Sequence, residues 1–119
     1  MPDTQERPTA GSMSAAISNA VVGITNQYTG RGPTKARTTM SDDLVVVVMA
    51  DTLLKAERTL VERGDATTVL SLRHKFQSVM REDLIAAVEE HTGRKVAAFL
   101  SDNHIDPDIG VETFVLEPV

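Results

Sequence analysis

Arg31, Lys35 and Arg37 stand in the segment GRGPTKAR, residues 30–37, and a glycine-rich loop carrying cations raises the question of phosphate binding. A Walker loop needs a strand before it, the spacing GxxxxGK[ST], and a helix after it whose N-terminal amides face the phosphate. Here the spacing fails and the order is reversed, because helical periodicity precedes the segment and a strand-like run follows it. The C-terminal end of a helix carries negative partial charge and repels anions. Two readings stay open: a structural helix-to-strand turn, or a contact in which Arg31, Lys35 and Arg37 hold a small anion, a nucleotide or an acidic partner.

A second pair of charges stands out on helical projection at 100° per residue. Glu57 falls on the face defined by Leu53, Leu54, Ala56, Leu60 and Val61, and Arg73 falls within the stripe that carries Val69, Phe76 and Met80. An unpaired buried charge costs several kcal/mol, so each needs a partner. The tight Gly64-Asp65 connection makes the two helices antiparallel neighbours, and a Glu57–Arg73 ion pair across their interface is expected. Asp83, near the edge of the same stripe, is expected to meet a strand or loop donor, since no second carboxylate is placed to form an acid–base couple with it.

Asp102, Asn103, His104, Asp106 and Asp108 form an oxygen-rich loop. It lacks the glycine and terminal glutamate of a calcium-binding EF-hand, and Asp-Pro turn chemistry accounts for it. His74, His91 and His104 are too dispersed for a zinc site, and no nucleophile elbow is present. No metal, cofactor or catalytic residue is assigned.

The elements that must position these residues follow from composition and pattern. A chain of 119 residues with 41% hydrophobic content suits one domain. Aromatic residues make up 3% and tryptophan is absent, so valine, leucine, alanine and methionine must build the core, and a base-stacking platform lacks its rings. A net charge of −5 opposes general nucleic-acid affinity. Without cysteine there are no disulfides, thiolate nucleophiles or cysteine-ligated zinc. The longest apolar run, Leu44 to Ala50, is too short to cross a bilayer, and the N-terminus lacks a signal peptide's apolar core. The expected location is cytoplasmic, peripheral to a membrane only through partners.

Residues 1–12 read as a disordered leader and 13–119 as a single α+β domain. Ser14 can cap a first helix running to about Tyr28, with Ile17, Val21, Ile24 and Tyr28 on one stripe, and Gly30 and Pro33 stop it. Ala36–Met40 and Leu44–Ala50 read as a hairpin closed by SDD. Both alternating faces of LVVVVM are apolar, so this strand is expected to be central and covered on both sides, with Val46, Val48 and Phe76 in the core. Either the first helix crosses to the second face or another molecule covers it. Asp51 is expected to cap a helix ending at Gly64, and Asp65 a longer one from Ala66 to about His91, stopped by Gly93. The long helix carries Val69, Leu72, Phe76, Val79, Met80, Leu84 and Ala87 on one stripe. Lys95–Ser101 and Val111–Leu116 complete the order α-β-β-α-α-β-β, which implies a four-stranded, mainly antiparallel sheet packed with helices.

Taken together, GRGPTKAR, LVVVVMADTLLKAERTLVERG and VLSLRHKFQSVMREDLIAAVEEHTGRKVAAFLSDNHIDPDIGVETFVLEP resemble the MpsC family, once a domain of unknown function and related to YbcI-type proteins. The resemblance covers about Ile17 to Pro118. It implies an accessory role beside the membrane and large soluble components of a cation-translocating, membrane-potential-generating system associated with bicarbonate supply. It carries over no catalytic residue. Arg31, Glu57, Arg73, Phe76 and Asp106 are singled out by the residue reading alone.

The leading expectation is a non-enzymatic accessory or interaction domain, a homodimer with possible membrane-protein partners. A small-anion or nucleotide sensor built on GRGPTKAR is the alternative. A type II KH module shares the opening α-β-β-α-α-β order, but its phosphate-clamping GxxG is replaced here by ERGDATT, and the charge balance opposes RNA.

Overall fold

A computed structural model describes residues 10–119, and the leader expected over residues 1–12 lies mostly outside them. Its last residues, 10–12, belong to a helix. The elements run α1 (Ala10–Thr29), β1 (Lys35–Ser41), β2 (Leu44–Ala50), α2 (Lys55–Glu62), α3 (Ala66–Thr92), β3 (Val96–His104) and β4 (Ile109–Leu116). This is the expected α+β order, with every strand pair antiparallel and the sheet ordered β1-β2-β4-β3.

Local chemistry explains most boundaries. Gly93 ends α3 in the left-handed region at φ 70°, where a side chain is strained, and its amide closes on the Glu89 carbonyl. Asp65 opens α3 by accepting from the Thr68 amide and hydroxyl. Between β1 and β2 the two-residue turn Asp42-Asp43 has Asp42 at φ 51°, a geometry that aspartate tolerates better than most residues. Asp51 does not cap α2. The helix starts one turn later, with Leu54 at the capping position and the Glu57 carboxylate accepting the Leu54 amide at 2.7 Å.

One layer of helices covers one face of the sheet. Ile17 and Val21 of α1 and Met80, Leu84 and Val88 of α3 meet Val45, Val47 and Met49 of β2 and Phe114 and Leu116 of β4 in a single core. Phe114 is fully buried and its ring lies 5.1 Å from that of Phe99 on β3. Burying such a side chain contributes roughly 2–3 kcal/mol. Phe76 packs against this core, partly buried.

The first helix does not cross the sheet, and this corrects the assignment of β2's faces. Side chains alternate along a strand, so Val46 and Val48 point away from Val45 and Val47 and stand half-buried on the uncovered face rather than in the core. Val111, Thr113 and Val115 of β4 share that face, and Leu44 and Leu100 on it are 40% and 57% exposed. On α3 the buried stripe is Val69, Gln77, Met80, Leu84 and Val88, while Leu72 and Val79 are exposed. At 100° per residue both lie roughly 100° or more from the centre of the buried set, so their side chains fall outside the face that packs on the sheet.

Candidate functional site

Where α1, α3 and the β2–α2 connection meet the end of the sheet, a group of polar side chains is drawn out of solvent. Arg73 enters from α3. Its Nε donates to Glu57 Oε2 at 3.2 Å and its Nη2 to Glu57 Oε1 at 2.9 Å. Nη1 donates to Thr52 Oγ1 at 2.7 Å and to Asn103 Oδ1 at 3.3 Å, and Nη2 also reaches the Thr52 carbonyl. The guanidinium is therefore saturated by the protein itself. The two charged side chains are 14% and 6% exposed, so the pair is buried rather than superficial.

One turn further along α3, Gln77 exchanges amide hydrogen bonds with Asn103 of β3, both at 3.1 Å. Beneath them Glu112 of β4 is 1% exposed and accepts the Ser101 hydroxyl from the neighbouring strand. Burial pushes the Glu112 carboxyl up to about 7, against the smaller opposing pulls of the Ser101 hydrogen bond and the Arg73 charge. Gly110, Glu112, Asn103, Gln77 and Arg73 border a cavity of about 50 Å³ that also reaches Thr25 on α1. The Thr25 hydroxyl oxygen is buried there without a partner among the described residues. The space suits small polar occupants on the scale of water.

A second polar group lies on the outer side of the β2–α2 connection. Arg31, just past the end of α1, donates from Nη1 to the Asp51 and Leu53 carbonyls at 3.1 and 3.0 Å, and from Nη2 to the Asp51 carboxylate at 2.9 Å. Arg58 of α2 donates to the other Asp51 oxygen. Burial alone would raise the Asp51 carboxyl, but the Arg31 charge and hydrogen bonds from Thr34, Arg31 and Arg58 bring it below its ordinary value. Asp108 in the β3–β4 turn fastens the same connection, accepting the Thr52 hydroxyl at 2.7 Å and the Leu53 amide at 2.8 Å.

The structure thus separates the three cations of GRGPTKAR. Arg31 turns onto the chain and holds Asp51, while Lys35 and Arg37 alternate along β1 on the uncovered face, exposed and without ion-pair partners among the described residues. Glu57 and Arg73 come together as described. Asp106 lies exposed in the β3–β4 turn. Asp83 accepts the Tyr28 hydroxyl of α1 at 2.6 Å rather than a strand or loop donor, and that bond, with burial and the charges of Asp83 and Glu82, pushes the phenol above its ordinary value. Among the described residues no group of histidine, aspartate and glutamate side chains is gathered for a metal ion, and no helix is long and apolar enough to cross a membrane.

Glu112 is the residue the sequence reading passed over. The signal was present: in VETFVL it shares the period-two face of Phe114 and Leu116, so a carboxyl had to enter the core. Thr52 lies in the β2–α2 connection and Asn103 in the polar end of β3, which the sequence presents as a loop, and only the tertiary fold brings them to Arg73.

No curated protein and no solved structure matches the chain. Over residues 9–118 it matches the family described as the Na+-translocating membrane potential-generating system (MpsC). That match spans nearly the whole sequence and agrees with the resemblance carried by its segments: the chain belongs to the MpsC family.

Proposed function

We propose that this chain is a non-enzymatic accessory domain that works by presenting binding surface, peripheral to a membrane cation-translocating or bicarbonate-supply system and attached to it through partner subunits. The observation that carries this reading is the sheet's second face, where Val46, Val48, Val111 and Val115 are half-buried and Leu44 and Leu100 are exposed with no helix among the described residues over them. An apolar face of this kind marks an interaction site. The polar cluster around Arg73 supports the same reading, because its donors and acceptors are spent on one another and hold three elements in place. The family's description supplies the membrane system, and a cytoplasmic location fits an attachment made through partners.

The test is affinity purification of the full chain from native cells, wild type against Val111→Glu, with the mass of the intact complexes measured. Membrane subunits recovered with the wild type and lost with the variant are expected, whether they dock on this face or on an assembly that closes over it. Equal recovery with both, or robust turnover by the purified chain, would overturn the reading.

A further inference from the structure

We infer that the uncovered face of the sheet is closed by a second copy of this chain, with the two copies related by a two-fold axis that runs along the strands between β2 and β4. This rests on reading the face as an interaction surface and names its occupant. The pairing registers place Arg37, Val48, Val111 and Asp102 side by side in one row across β1, β2, β4 and β3. The row is cationic at one end, apolar in the middle and anionic at the other. A two-fold axis parallel to the strands carries β1 of one copy over β3 of the other and β2 over β4. The row then lies on its own reversed copy: Arg37 faces Asp102, Val48 faces Val111, and each contact occurs twice.

Both charged ends are available for this. Among the described residues Arg37 has no ion-pair partner and Asp102 has no cation beside it, its Oδ1 accepting only the neighbouring Asn103 amide at 2.8 Å. The other face-to-face arrangement, with the axis across the strands, sets β1 over a reversed β1 and β3 over a reversed β3, so Arg37 never meets Asp102 and the cations Lys35 and Arg37 of both copies gather along one edge. Like charges placed so disfavour it. Tilting the favoured axis by about 15° from the strands produces the crossing of roughly 30° that packed, twisted sheets adopt.

The area is sufficient for a reversible dimer. Strands about 4.8 Å apart and about 3.3 Å per residue give a face of roughly 20 by 23 Å, so the pair buries on the order of 1,000 Å². Leu44 and Leu100, the large apolar side chains now most exposed on this face, enter the interface.

Sedimentation equilibrium on the full chain decides it. The 12.9 kDa chain is expected to pass from monomer to dimer as concentration rises through the micromolar range. Arg37→Asp and Asp102→Arg, both at exposed strand positions, are each expected to weaken self-association about tenfold. Mixed in equal amounts, the two variants form a heterodimer in which both crossed charge pairs are restored, with affinity within about threefold of wild type. Tighter dimers from Arg37→Asp alone would overturn the axis, and a monomer up to about millimolar concentration would overturn the second copy. In that last case, loss of membrane subunits with Val111→Glu would leave the interaction-surface reading standing, whereas no loss would remove both.

Discussion

Arg73 on α3 holds Glu57 on α2 by two parallel hydrogen bonds, Nε to Oε2 at 3.2 Å and Nη2 to Oε1 at 2.9 Å, and the same carboxylate accepts the Leu54 amide that opens α2. One ion pair therefore fixes the start of α2 and its docking on α3. Arg73→Met leaves Glu57 buried without its cation and strands the Thr52 and Asn103 acceptors. We expect it to lower the free energy of unfolding by about 3 kcal/mol, measured by urea denaturation. The double variant Arg73→Met/Glu57→Gln removes the orphaned charge and should recover about 1 kcal/mol or more.

Glu112 predicts a pH dependence. Its folded value is raised to about 7, so between the ordinary carboxyl range and pH 7 the folded chain binds the proton that the unfolded chain releases. Stability attributable to this group is complete at low pH, falls as pH rises through that window, and is level above it. The loss at pH 8 is on the order of 3 kcal/mol. Glu112→Gln keeps the Ser101 hydrogen bond without the charge. It should be more stable than wild type at pH 8, and the advantage should vanish near pH 4.5, as read by thermal unfolding at each pH.

The extent to which such features were legible in the sequence depends on how local their signals are. Helical periodicity and a short connection are enough to bring Glu57 and Arg73 together. Caps announce themselves by residue type, as at Asp65 and Gly93. Asp51 shows the limit of that rule: its type suits a cap, but two arginines and a left-handed backbone conformation, φ 57°, claim it for the loop. The two faces of β2 are equally apolar, so periodicity alone leaves open which face the helices cover. The helices are few and the face they took is that of Glu112, Phe114 and Leu116, which only pairing with β4 reveals.

Two single changes at helix ends test the local account of α3. Asp65→Ala removes the acceptor for the Thr68 amide and should cost about 1 kcal/mol. Gly93→Ala meets no atom within 4 Å, so its cost is conformational alone, about 1 kcal/mol for forcing alanine to φ 70°. Both are measured as shifts in the denaturation midpoint without a change in slope.

The anion-sensor alternative makes a separate forecast. With the Arg31 guanidinium spent on Asp51 and Leu53, only Lys35 and Arg37 remain to meet a ligand. Calorimetry with phosphate, bicarbonate and ATP should show no saturable heat below about 1 mM. A saturable isotherm abolished by Arg37→Asp would reinstate that alternative.

The strand order β1-β2-β4-β3 makes each outer strand the hairpin partner of an inner one, so β1 with β2 and β3 with β4 close within their own stretches of sequence. Only the β2–β4 seam, where Val47 stands opposite Glu112, joins the early and late parts of the sheet. That seam needs α2 and α3 to carry the chain back, and a closure over such long sequence separation is expected to be the slow step of assembly. Its amides should accordingly exchange with deuterium only on global opening, while those of the outer strands exchange through smaller fluctuations.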